Sequence, residues 1–97
     1  MQEDRLQPYS EQLEKELVYQ LLNDTSAIEL IYKIINKEAF YYPLHGLIFE
    51  ASKSNFLEKK PTTSESIIEY LRESGKLKGI GGIEAINELK YSLNYRS

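Results

Sequence analysis

The sequence predicts an all-α domain, a compact orthogonal bundle of about five to six helices. Three observations lead there. Apolar residues recur every three or four positions in successive stretches of the chain. Cap and stop residues fall between those stretches. No stretch alternates strictly enough to compete as a strand.

Taken in order, residues 1–7 are polar and expected to be frayed. Pro8 and Ser10 open a first helix, with Ser10 as its N-cap and Glu11 in its first turn. Leu13, Leu17 and Leu21, with Val18 and Leu22, are read as its buried stripe. Asn23-Asp24-Thr25 ends it. Ser26 and Glu29 form a capping box for a second helix, which shows Ile28, Ile31, Ile34 and Ile35 on one face and runs to about Asn36.

The stretch Phe40–Phe49 organises the chain. Pro43 suits the first position of a helix, because its ring presets φ and its missing N–H is not needed there. Leu44, Leu47, Ile48 and Ala51 then recur at helical spacing, with Phe40 as an aromatic plug at the helix start. This central helix runs from about Pro43 to Glu58, and Pro61 disfavours helix at Lys60. Thr62 with Glu65 forms a second capping box. The next helix turns Ile67, Ile68 and Leu71 inward, and Gly75 caps its end. After Gly79-Ile80-Gly81-Gly82, a last helix carries Ile83, Ile86, Leu89 and Leu93 on one side. The expected core is Leu17, Leu21, Ile31, Phe40, Leu44, Ile48, Ile67, Leu71, Ile83 and Ile86, with His45, Gly81 and Gly82 as structural positions.

Ninety-seven residues make a single domain, 1–97. Folding at this size buries roughly two-thirds of the unfolded surface, enough for one core. The absence of Cys excludes disulfides and thiolate metal sites. No apolar run reaches the ~18 residues of a membrane span, and no signal-peptide pattern opens the chain. The net charge of −3 is uneven: −5 over residues 1–50 and +2 over residues 51–97. Neither half has the dense basic face that nonspecific DNA binding needs. An acidic surface favours a protein partner.

Four features invite a chemical reading. His45 is the only histidine, and the chain has no Cys, so metal ligation lacks partners. The sequence offers His45 no defined nucleophile or orienting acid, and a structural histidine bonded near the helix start is the better reading. Glu11, Glu14 and Glu16 on one helix, and Glu65, Glu69 and Glu73 on another, read as solvated faces. The glycine stretch lacks the Lys-Ser or Lys-Thr of a phosphate loop. It does resemble a helix-hairpin-helix DNA module, Leu77-Lys78-Gly79-Ile80-Gly81 with Ala85 four residues on, although Glu84 would repel phosphate. That DNA-binding module, using Gly79–Gly82, is the alternative reading. Finally, Tyr9, Tyr19, Tyr32, Tyr41, Tyr42, Tyr70, Tyr91 and Tyr95 are too many for so small a core, which favours an interface.

Three pieces, in order, resemble the N-terminal domain of DnaB-type replicative DNA helicases. They are Pro8…Leu13-Glu14…Leu17-Val18…Leu21-Leu22, then Phe40-Tyr41…His45…Ile48-Phe49, then Leu71…Gly75…Leu77…Gly81-Gly82…Leu89. The likeness covers about residues 6–92 without gaps. Three positions depart from the family pattern: Leu13 stands for its usual Ala, Tyr19 for Gly, and Thr63, which keeps N-cap chemistry, for the Asp of a Pro-x-Asp turn. Leu13 and Tyr19 enlarge the opening helix and bear on its packing or dimer contact.

The resemblance implies a non-catalytic domain without cofactor, ATP and Mg belonging to a helicase domain that this sequence does not carry. It implies a collar above a hexameric ring. The implied partners are other helicase subunits, the primase C-terminal domain and a helicase loader, with little direct DNA binding and no membrane. It places the protein in a bacterial cytoplasm or a plastid stroma. Tyr19, Gly82 and Ile83 are the positions expected to meet a partner. The family's helical hairpin, which follows the globular head, is also missing, so the chain is read as an excised head or a short relative.

Overall fold

The computed structural model describes residues 11–91, the side chain of Ile80 excepted. The expectations for residues 1–7, Pro8, Tyr9, Ser10, Leu93 and Tyr95 lie outside the described residues. Those that are described form five α-helices and two 3₁₀ turns, with no strand among them. The helices are α1 (Glu11–Asn23), α2 (Ala27–Ile31), α3 (Pro43–Leu57), α4 (Ser64–Glu73) and α5 (Gly82–Tyr91). The 3₁₀ turns are Lys37–Ala39 and Lys78–Ile80. Helix α3 is the hub: α1, α2, α4 and the first 3₁₀ turn all pack on it. Helix α5 closes the far side against α1 and α4.

Two apolar clusters fill the interior. The larger joins Val18, Leu22, Ile48, Ala51, Ile67, Leu71, Ile86 and Leu89. The smaller joins Leu21, Ile28 and Phe49 under α2. Phe40 is half-buried and touches both, its ring 5.4 Å from that of Phe49. Each fully buried Leu, Ile or Phe contributes about 1.5–3 kcal/mol of transfer free energy. Of the expected core, Leu21, Ile48, Ile67, Leu71 and Ile86 are buried. Leu17, Ile31, Phe40 and Leu44 are only half-buried.

Three expectations about the core need correction. The buried stripe of α1 is Glu14, Val18, Leu21 and Leu22, so Leu13 is turned out to solvent and Leu17 lies at the margin. A charged residue holds a core position, which disguises the register. Ile83 is 39 % exposed, because α5 faces inward through Ile86 and Leu89. Gly81 is exposed and Gly82 half-exposed, so both act through backbone conformation rather than as core.

The caps also differ. Ser26 makes no side-chain cap bond. Asp24 instead accepts from the Ser26 N–H at 3.0 Å and Oγ–H at 2.7 Å, an Asx turn that enters α2. Helix α2 stops at Ile31, well before Asn36. Beyond it, Lys33 and Ile34 bond three residues back, and Asn36 Oδ1 takes the Glu38 N–H. That side chain offers the backbone a rival to helical continuation. The cap of α4 is Thr63, whose Oγ1 accepts from the Ser66 N–H at 3.2 Å. Thr62, expected there, donates to the Thr25 carbonyl at 2.9 Å. Gly75, at φ +77°, ends α4 as expected, with Lys76 N–H bonded to Leu71 O and Gly75 N–H to Arg72 O.

Candidate functional site

The junction of α1 and α3 holds the most organised polar group among the described residues. Pro43 occupies the first turn of α3, so that turn starts with a missing donor and an N-cap, Tyr42, that makes no side-chain cap bond. Glu14, from the inward face of α1, supplies what the N-cap lacks. One carboxylate oxygen accepts from the Tyr41 N–H, and the other accepts from the Tyr42 N–H at 3.3 Å. The same oxygen lies 2.8 Å from His45 Nδ1. An ionised carboxylate has only acceptor sites, so Nδ1 carries the proton and donates. The negative charge sits at the positive end of the α3 dipole.

Glu14 and His45 are 5 % and 4 % exposed. The Tyr42 ring meets His45 edge-on at 5.3 Å, and its hydroxyl donates to Glu11 at 3.4 Å. Burial, and then the Glu11 carboxylate, hold the Tyr42 phenol above its usual pKa. An acid orienting a histidine is half of a catalytic unit. This one is closed off by its own burial, and its carboxylate is spent on two backbone donors. Its geometry does structural chemistry: it pins α1 to the start of α3. Two expectations are thereby revised. His45 does have an orienting acid, and Glu14 is not part of a solvated face. The signal for Glu14 was present in its spacing, four and seven residues before Val18 and Leu21.

The glycine hairpin is placed less favourably for DNA. Gly81 and Gly82 take φ of +98° and +76°. Their N–H groups donate inward, Gly81 to Lys78 O at 3.3 Å and Gly82 to Leu77 O at 2.9 Å. Those donors are therefore not available to a phosphate. Glu84 adds a negative charge in the first turn of α5.

Surface apolar groups are the remaining feature. Leu13, Leu30, Ile34, Tyr41, Leu57, Ile83 and Tyr91 are exposed. Leu13 adjoins Glu14, which holds the Tyr41 backbone, so Leu13 and Tyr41 flank one junction. Of the expected partner positions, Tyr19 is half-buried and Ile83 is open. Asn23 Nδ2 bonds both Tyr19 O and Lys90 O, which sets Tyr19 near the C-terminal end of α5. Gly82 and Ile83 open that helix at its other end, roughly 12 Å along its axis. The three positions do not gather at one end of α5.

A family model, the DnaB-like helicase N-terminal domain, matches residues 6–95. The chain belongs to the DnaB-like helicase N-terminal domain family. Two pieces that carry the family likeness, Leu13-Glu14 and Phe40-Tyr41…His45, meet in space through the Glu14 bonds. No curated protein and no solved structure gives a significant match. Among the described residues, no three His, Cys, Asp or Glu are grouped to hold a metal ion. No helix among them is long and apolar enough to cross a membrane.

Proposed function

We propose that this domain is a non-catalytic interaction module of a replicative DNA helicase. It serves collar assembly with other helicase subunits and binds the primase C-terminal domain, with a helicase loader as a further partner. It takes no cofactor of its own, and ATP and Mg act in the helicase motor domain. The compartment is the bacterial cytoplasm or the plastid stroma. The observation that carries this reading is the family match over nearly the whole chain, on an all-helical fold. Its exposed apolar side chains and acidic surface support a role in protein contact. The DNA-binding alternative is disfavoured by the inward-bonded N–H groups of Gly81 and Gly82.

Titration of the chain with the primase C-terminal domain, by calorimetry, tests the proposal. Saturable binding is expected, weaker than that of a version extended by the family's helical hairpin. No heat at any concentration would oppose the primase role. A parallel titration with duplex DNA near physiological salt is expected to show no useful affinity. Micromolar, salt-sensitive binding lost on Gly81→Val would restore the DNA reading.

A further inference from the structure

A groove runs beside the start of α2, between the end of α3 and the start of α4. Phe56 and Pro61 supply its apolar surface, Thr25 and Thr62 its polar wall, and Lys59 and Lys60 its cations. The Thr62–Thr25 bond ties the two sides together, so the groove is part of the fold. Its lining holds two lysines and no carboxylate. Asp24, next along the chain, turns its carboxylate to Ser26. Lys60 lies 3.2 Å from Glu58, but both are more than half exposed, and such pairs exchange readily with other ions. Across Lys60 and Pro61, a second depression carries Glu69 and Glu73.

Lys59 has φ +62°, the left-handed region, where a side chain is disfavoured. Helix α4 ends on the same bonding pattern with Gly75 at the matching place. At the end of α3 the fold itself thus favours glycine, and only the lysine side chain would be lost by having it.

We propose that this groove docks an acidic segment of a partner protein bearing one apolar side chain. The apolar group rests on Phe56 and Pro61, and its flanking carboxylates meet Lys59 and Lys60. Glu69 is paired with Arg72, and Glu73 disfavours the same segment in the neighbouring depression. This assignment does not depend on the helicase reading.

The test is a titration of the ¹⁵N-labelled chain with the capped peptide Glu-Glu-Phe-Glu-Glu, followed by amide shifts. Saturable shifts are expected at the amides of Thr25, Phe56, Lys59, Lys60, Thr62 and Thr63, at about millimolar affinity. Lys59→Gly is expected to weaken binding about five-fold while raising the melting temperature, so lost binding cannot be ascribed to lost fold. Lys59→Glu is expected to abolish it. Absent or scattered shifts, equal binding of Lys-Lys-Phe-Lys-Lys, or undiminished binding by Lys59→Gly would each overturn the proposal.

Discussion

Glu14 occupies a core position of an amphipathic helix because three donors converge on it. Removing it strands the Tyr41 and Tyr42 N–H groups and the His45 Nδ1–H beside the core. Glu14→Ala is therefore expected to cost about 3 kcal/mol in chemical denaturation. Glu14→Gln should cost less, since its amide oxygen still accepts. An alanine variant within about 1 kcal/mol of the parent would contradict the role assigned to this carboxylate.

Ser52 presents the opposite case, since its hydroxyl is fully buried in α3 without a hydrogen-bond partner. Ser52→Ala removes that desolvated group at little cost in volume. It should raise stability by about 1 kcal/mol, read as a higher denaturation midpoint.

Asp24 gives the pH-dependent example. The Ser26 hydroxyl, and then the Ser26 N–H, hold its carboxyl below the ordinary value of 3.8. A depressed folded pKa stabilises above the unfolded value and is lost as pH falls through the folded one. The carboxyl carbon shift should titrate below 3.8, and Ser26→Ala should move the midpoint upward. An unmoved midpoint would show that the Ser26 hydroxyl does not hold the carboxyl down.

At the scale of elements, each helix end obeys a local rule, but the residue that applies it was not always legible. Pro43 and Gly75 are legible directly, because Pro and Gly act through their own backbone. Capping-box spacing points to Thr62 and Ser26, whereas the family likeness keeps N-cap chemistry at Thr63, the residue that caps α4. Neighbouring oxygen-bearing side chains compete for the same N–H groups, and tertiary bonds such as Thr62 to Thr25 decide among them. The register of α1 is hidden for a related reason. Periodicity treats a glutamate as outward-facing, and its three partners lie 27 to 31 residues away. Periodicity extends α2 too far, because Ile34 continues the apolar period yet projects into solvent, 79 % exposed. The clearest test at this scale is the end of α3. Lys59→Gly should stabilise by about 0.5–1 kcal/mol, because relief of the left-handed strain outweighs glycine's entropy cost. A lower melting temperature would show that the lysine stem packs usefully.

At the scale of the molecule, the head is small for the assembly it is proposed to serve. A stable interface buries about 1,200–2,000 Å² in total. The described exposed apolar residues are distributed over α1, α2, the α2–α3 connection, α3 and α5 rather than gathered in one large patch. A monomer or weak homodimer is therefore expected in dilute solution, with the proposed primase contact of modest strength. The most direct measurement is the mass in solution, by sedimentation equilibrium at about 100 µM, of the chain alone and mixed with the cognate primase's C-terminal domain. The expected result is a mass near that of one chain for the chain alone and a heavier species, matching the sum of the two, in the mixture. A mixture that sediments as two independent components would contradict it.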